Sequence, residues 1–169
     1  DYAKSRSSVR MYHCSSESIE RDEIQKCVEI GQLAPNACNR QAIRVHIVRN
    51  KELISMFEEL QLGCSGFAQN AGALVIVTAD LELYEGSEFR LPSIDAGLFM
   101  LNFIYACQDK NIYSCILNGA FPGDANDKVR ELLHIPSNED IEGCIVLYKV
   151  SESTTIRVPE SLRRPVDEV

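Results

Sequence analysis

Apolar residues recur along the chain in two rhythms. Over residues 20–33, Ile24, Cys27, Val28 and Gly31 fall on one helical face, acidic residues occupy the first turn and Pro35 lies just beyond the end, which predicts an amphipathic helix. Residues 43–49 alternate instead, with Ile43, Val45 and Ile47 on one side and Arg44, His46 and Val48 on the other, as in a strand with one wetter face. His46 then reads as a surface or packing histidine. Residues 73–79 form a continuous apolar run between Gly72 and Asp80, the pattern of a strand buried on both faces. Between these strands, residues 51–60 predict a short helix turning Leu53, Ile54, Phe57 and Leu60 inward, and residues 67–71 a further, less regular one. Residues 94–110 are apolar almost all round, so this helix must be enclosed by the domain or by a second subunit. Residues 113–117 and 143–150 read as strands, with a helix over 124–133 that stops before Pro136. Residues 151–169 mix Thr, Pro159, Arg163, Arg164 and Pro165 without periodicity and predict an extended arm. Taken alone, the alternation of helices and strands favours a layered α/β domain with a parallel sheet.

A length of 169 residues suits one domain, and 45% hydrophobic with 25% charged residues matches an ordinary globular protein, which sets aside disordered and fibrous classes. Seventeen Lys and Arg against 25 Asp and Glu leave a net charge of -8, so the molecule as a whole repels nucleic acid and anionic lipid. Its longest strongly apolar stretch, residues 94–107, is interrupted by Asp95, Gly97 and Asn102 and falls short of the roughly 20 residues of a spanning helix. It predicts a buried helix and no membrane partner. The seven cysteines contain no Cys-x-x-Cys pair and are odd in number, which removes zinc-ribbon and thioredoxin-like readings. Reduced cytoplasmic thiols packed as small core residues are the first reading, with regulatory thiol chemistry the alternative. His13, His46 and His134 show no ligand spacing, so no metal site is expected. The chain opens on Asp1 without methionine, signal peptide or transit segment, as an excised piece or a processed product would.

Neither Gly-x-Gly-x-x-Gly nor the Gly-x-x-x-x-Gly-Lys loop is present, so a nucleotide would have to be held by other means. The run Ser5-Arg6-Ser7-Ser8-Val9-Arg10 places two guanidiniums among hydroxyls in an otherwise acidic chain. Such donors suit a phosphate monoester, because a dianion calls for several charge-assisted bonds at once. On composition alone the run reads first as a solvated basic terminus.

Three further segments change that picture: Leu33-Ala34-Pro35-Asn36-Ala37-Cys38-Asn39-Arg40-Gln41 closing the first helix, Asn118-Gly119 after a strand, and Arg163-Arg164-Pro165 near the end. In this order and spacing, residues 6–169 resemble the FMN-dependent nitroreductase family. The resemblance implies an α+β fold with a mostly antiparallel central sheet flanked by helices, built as an intertwined homodimer with FMN at the interface. Residues 1–169 would then be one FMN-binding domain, with 151–169 the arm. The resemblance also assigns roles. Arg6, Ser8 and Arg10 match the opening segment that binds the FMN phosphate and ribityl chain, with Ser7 in the usual second Arg position. Pro35, Asn36, Ala37 and Asn39 match a loop that approaches the flavin ring from the other subunit, although Asn36 replaces the usual Ser and Ala42-Ile43 replaces Pro-Trp. Asn118 and Gly119 match the turn whose backbone N–H faces the flavin N5 and O4 edge, and Arg163 the basic residue that closes the phosphate site. Gln69 and Asn70 stand where the family often carries a Lys or Asn near the flavin pyrimidine.

By the same resemblance, the expected activity is that of an oxidoreductase in which FMN, reduced by NADH or NADPH, passes electrons to a small acceptor such as a nitroaromatic or quinone. No side-chain acid or base is demanded, so no catalytic residue is assigned. A flavin-binding or flavin-free sensory or scaffold module, part of a longer polypeptide, is the alternative. Only fourteen residues separate Asp80 from Asp95 where larger relatives insert a helix, which implies a short flap over an open pocket, with Tyr84 and Phe89 as stacking surfaces or as plain loop packing.

Overall fold

A computed structural model describes residues 2–151 and 153–168, so Asp1 and, on the arm, Glu152 and Val169 lie outside the described residues. Strands β1 (Ile43–Val48), β2 (Ala73–Asp80), β3 (Tyr113–Asn118) and β4 (Glu139–Tyr148) form one sheet in the order β1-β2-β4-β3. Every neighbouring pair is antiparallel. The parallel sheet suggested by element alternation is therefore wrong, and the mostly antiparallel α+β sheet implied by the family resemblance is the one present. The reason lies in the connections. Val48 pairs with Leu74, so β2 starts beside the point where β1 ends, and the helix between them is an excursion that returns rather than a crossover. Asn118 likewise pairs with Gly143 across the β3–β4 connection.

Period-two alternation in the two central strands divides the core into two layers. Ala73, Val75 and Val77 of β2 with Ile145 and Leu147 of β4 meet α2 (Arg21–Gly31) and α4 (Leu91–Asp109) through Ile24, Cys27, Phe99 and Phe103. Leu74, Ile76, Cys144, Val146 and Tyr148 meet α3 (Lys51–Leu60) on the other face, with α5 (Ala125–Leu133) contributing Val129 and the N-terminal segment Val9 and Met11. Gly31 lets α2 close on α4, since a Cβ there would stand 2.7 Å from the Phe99 ring. The N-cap Asn50 accepts from the Glu52 and Leu53 amides and starts α3 where the sequence predicts it.

Several elements depart from expectation. A short helix, α1 (Tyr2–Ser5), precedes the basic run. Residues 68–70 form a single 3-10 turn rather than a helix. Strand β4 begins four residues before the predicted start, because Glu139, Asp140 and Glu142 mask its pattern. Glu139 points inward, where its carboxylate accepts from the buried Thr78 hydroxyl and meets His46 Nε2 at 2.6 Å, so His46 is half-buried across the sheet. A register shift between Val77 and Thr78 accommodates the change of pairing. Of the predicted arm, residues 151–169, the described part is extended apart from a bond of the Thr154 amide to the Ser151 carbonyl at 2.9 Å and the 3-10 turn Val166–Glu168. No helix among the described residues is long and apolar enough to cross a membrane.

Five of the seven cysteines are buried, whereas Cys14 and Cys38 are exposed. Burial pushes the Cys64 thiol up to about 12 and raises Cys144 as well, which keeps both protonated. A disulfide reagent at pH 8 should therefore titrate only Cys14 and Cys38 in the native protein, and all seven thiols after denaturation. Rapid reaction of five or more would contradict this packing.

Candidate functional site

The N-terminal run lies along the outer edge of β3. Ser8 forms a parallel bridge with Ser114, and the Val9 amide donates to the Ser114 carbonyl at 2.9 Å. Upstream, the Tyr2 hydroxyl donates to the Tyr105 carbonyl at 2.7 Å and Gln108 Nε2 donates to Ser5 Oγ at 2.7 Å, which ties this segment to the C-terminal half of α4. The result brings together residues from both ends of the chain. Arg6, Ser7 and Arg163 line one cavity of about 680 Å³. An adjoining groove of about 360 Å³ shares Arg6 and Ser7 and reaches Gln108 and Ser114. Gln108 Oε1 is buried there without a hydrogen-bond partner among the described residues.

Arg10 is placed differently. It is exposed, and its guanidinium sits 5.9 Å from the centroid of Phe67 rather than on the cavity lined by Arg6 and Arg163. The two N-terminal arginines still share a neighbour. Burial raises the Cys115 thiol while the positive charges of Arg10 and Arg6 oppose the rise, so a local positive field stands beside β3 in a molecule of charge -8.

At the far end of β3, the Asn118–Gly119 turn is held by a residue that sequence reasoning missed. The buried Gln61 donates through Nε2 to the carbonyls of Asn118 at 3.0 Å and Ala120 at 3.1 Å, and its Oε1 accepts from the Gly63 amide. No periodicity or motif marks Gln61. Glycine at 119 has a reason within the fold, because a Cβ would stand 2.2 Å from the Ile141 carbonyl oxygen, closer than any side chain tolerates. Asn70 is engaged in the fold, its side chain donating to the Met11 carbonyl at 2.8 Å, while Gln69 is exposed.

The Pro35–Asn39 loop stands apart: the cleft beside it shares no lining residue with the groove at Arg6. Pro35 and Asn36 line that cleft with Gln41, Asp95 and Phe99, and its volume of about 40 Å³ is far too small for a flavin. Ala37 donates its amide to the Asp95 carboxylate, and Asn39 is exposed. Asp95 was visible in the sequence as a lone carboxylate inside an apolar stretch, but its partners were not. One of them is Tyr84, whose hydroxyl donates to Asp95 Oδ2 at 2.9 Å. Burial first, and this bond second, push the Tyr84 phenol well above its ordinary value. With the Arg40 guanidinium 5.7 Å from its ring centroid, Tyr84 is committed to the fold, which leaves Phe89, 73% exposed, as the aromatic the flap presents outward.

Comparison with known proteins agrees with this architecture. The profile of the nitroreductase family matches residues 3–71 and 56–147. A protein of Archaeoglobus fulgidus, named as a candidate NADH dehydrogenase/NAD(P)H nitroreductase, is 32% identical over 135 residues, covering 79% of this chain and 74% of the relative. Among solved structures, a nitroreductase family protein from Streptococcus pneumoniae superposes with a TM-score of 0.79 at 20% identity, over 99% of this chain and 96% of that one. An FMN-dependent nitroreductase from Clostridium difficile gives a TM-score of 0.75 at 21% identity, over 93% and 90%. The chain belongs to the nitroreductase family and thereby to the oxidoreductases.

Gln61→Leu preserves volume but leaves the Asn118 and Ala120 carbonyls without their donor. Its expected cost is about 1–3 kcal/mol in urea unfolding. A stability equal to the native protein's would show that the turn does not depend on this side chain.

Proposed function

We propose that the chain is an FMN-dependent oxidoreductase that uses NADH or NADPH to reduce a small acceptor, with nitroaromatics and quinones as the substrate class. The observation carrying this reading is the meeting of Arg6, Ser7 and Arg163 on one cavity. Two guanidiniums and a hydroxyl fit a phosphate monoester dianion. The unpartnered Gln108 Oε1 in the adjoining groove offers an acceptor to a hydroxyl of the attached ribityl chain. In this reading Ser8 holds the binding segment against β3, Arg10 adds positive potential, and Asn118 and Gly119 present backbone to the ring. Bound FMN supplies the redox chemistry, taking reducing equivalents from the nicotinamide and delivering them to the acceptor. The chain itself supplies anchorage, orientation and a wall.

That wall requires a second copy. Pro35 and Asn36, on the loop that continues through Ala37 and Asn39, line a cleft separate from the Arg6 groove, which fits a homodimer in which each copy's loop serves its partner's flavin. The outer face of α4 supports the same reading. Ile94 is 52% exposed and Leu98 and Leu101 follow it at helical spacing, while Leu162 and Val166 on the arm are 86% and 91% exposed. Such surface calls for a cover. Residues 151–169 then act as an arm across the neighbour, and residues 1–169 as one flavin-binding domain of a cytoplasmic enzyme with reduced thiols.

Purified protein should show a flavin absorbance spectrum that bleaches on anaerobic addition of NADH or NADPH, and the heat-released cofactor should migrate as FMN. A colourless protein that gains no flavin on incubation with FMN would sink the reading. Arg6→Ala and Arg163→Ala should each weaken FMN binding roughly ten- to a hundredfold, the loss of one charge-assisted hydrogen bond to a dianion, and Ser7→Ala by less. Equal effects of all three would place the phosphate elsewhere.

Light scattering at micromolar concentration should return the mass of a dimer, and Leu98→Glu combined with Leu101→Glu should lower both dimer content and flavin occupancy. A native monomer that retains flavin would contradict the shared site.

A further inference from the structure

Two stretches far apart in the chain converge on Asp95. This carboxylate is 4% exposed. The Ala37 amide reaches both of its oxygens at 3.1 Å, and the Tyr84 hydroxyl donates to Oδ2 at 2.9 Å. A buried carboxylate is tolerated when donors of this kind satisfy it. A second tie runs in parallel. Arg40 pairs with Glu88 at 2.6 Å, Glu88 also accepts from the Glu85 amide, and the Arg40 guanidinium lies over the Tyr84 ring. Loop and flap thus form one unit fastened to α4.

The loop needs such fastening. Cys38, Asn39 and Gln41 have φ of 51°, 54° and 52°, in the left-handed region. Only Asn39 is of a type that visits it readily, and backbone of this kind persists where its surroundings over-determine it. Asn36 Oδ1 accepts from the Gln41 amide at 2.9 Å and fixes the far side of the curl, while Asp95 fixes the near side at Ala37. Asp95 does not line the cavity at Arg6 and Arg163, so its effect on a bound flavin passes through the loop.

We infer that Asp95 is a positioning residue for the flavin: its carboxylate sets the shape of the Pro35–Asn39 wall and, through Tyr84, locks the acceptor-side flap to the same point. The inference rests on the proposed function, in which this loop borders a flavin held by a second copy.

The test compares Asp95→Ala, Asp95→Asn and Tyr84→Phe with the native holoenzyme. Ile24→Val, buried in the same layer but away from the loop, serves as a merely structural comparator. Hydrogen exchange over residues 35–41 reports the loop without reference to flavin, and FMN dissociation reports the wall. Asp95→Ala should speed exchange in the loop and weaken FMN binding by at least roughly tenfold, as expected for loss of a charged acceptor. Asp95→Asn, which keeps one acceptor oxygen, should recover part of the affinity. Tyr84→Phe, which unties the flap but leaves the Ala37 amide on the carboxylate, should leave FMN binding within about threefold while raising KM for the acceptor more than it changes kcat. Unchanged loop exchange in Asp95→Ala, or FMN affinity within about twofold of Ile24→Val, would overturn the positioning role. A native protein that binds no FMN would remove the flavin reading itself, a result visible before any variant is made.

Discussion

Burial of β2 and β4 on both faces is the constraint that organises this molecule. From Ala73 to Ala79 every residue of β2 is shielded, so each face of the sheet must carry its own helical layer. One layer is α2 with α4, the other α3 with α5 and the N-terminal segment. Placing the two most buried strands at the centre leaves β1 and β3 at the edges. The edge at β3 is the one that receives Ser8 and Val9, and by that pairing the Arg6 run is held in place.

The same arrangement separates two kinds of work. Arg6, Ser7 and Arg163 gather beside the end of α4 that faces the termini, whereas the loop at 35–41 is fastened near its beginning, at Asp95. A single helix of 19 residues, Leu91–Asp109, spans that distance. It buries Phe99 and Phe103 against the sheet while keeping Ile94, Leu98 and Leu101 outward. Its low amphipathicity has a plain cause: one side feeds the core, and the other, at Ile94, Leu98 and Leu101, is apolar as well.

Much of the element pattern was legible in the sequence where burial leaves an unmixed trace. The run at 73–79 could be read as a fully buried strand because nothing polar but Thr78 interrupts it, and α3 because Leu53, Ile54, Phe57 and Leu60 recur at helical spacing. Strand direction was not legible, since a helix that returns and one that crosses over carry the same hydrophobic rhythm. The start of β4 was hidden by Glu139, whose burial depends on Thr78 and His46, residues brought to it only by the sheet. The basic run stood out against a net charge of -8, yet nothing local could tell that Arg10 would turn toward Phe67 while Arg6 met Arg163. Gln61 and Tyr84 gain their roles entirely from tertiary neighbours.

A cavity lined by Arg6 and by Arg163 also has a history in time. Arg6 leaves the ribosome well before Arg163, so the two cannot face one cavity until translation has passed position 163. Both central strands and all the helices that cover them are synthesised before position 163. The sheet can therefore close around its core before the lining of that cavity is complete. A chain cut short before position 163 would keep both layers of the core and lack one wall of that cavity.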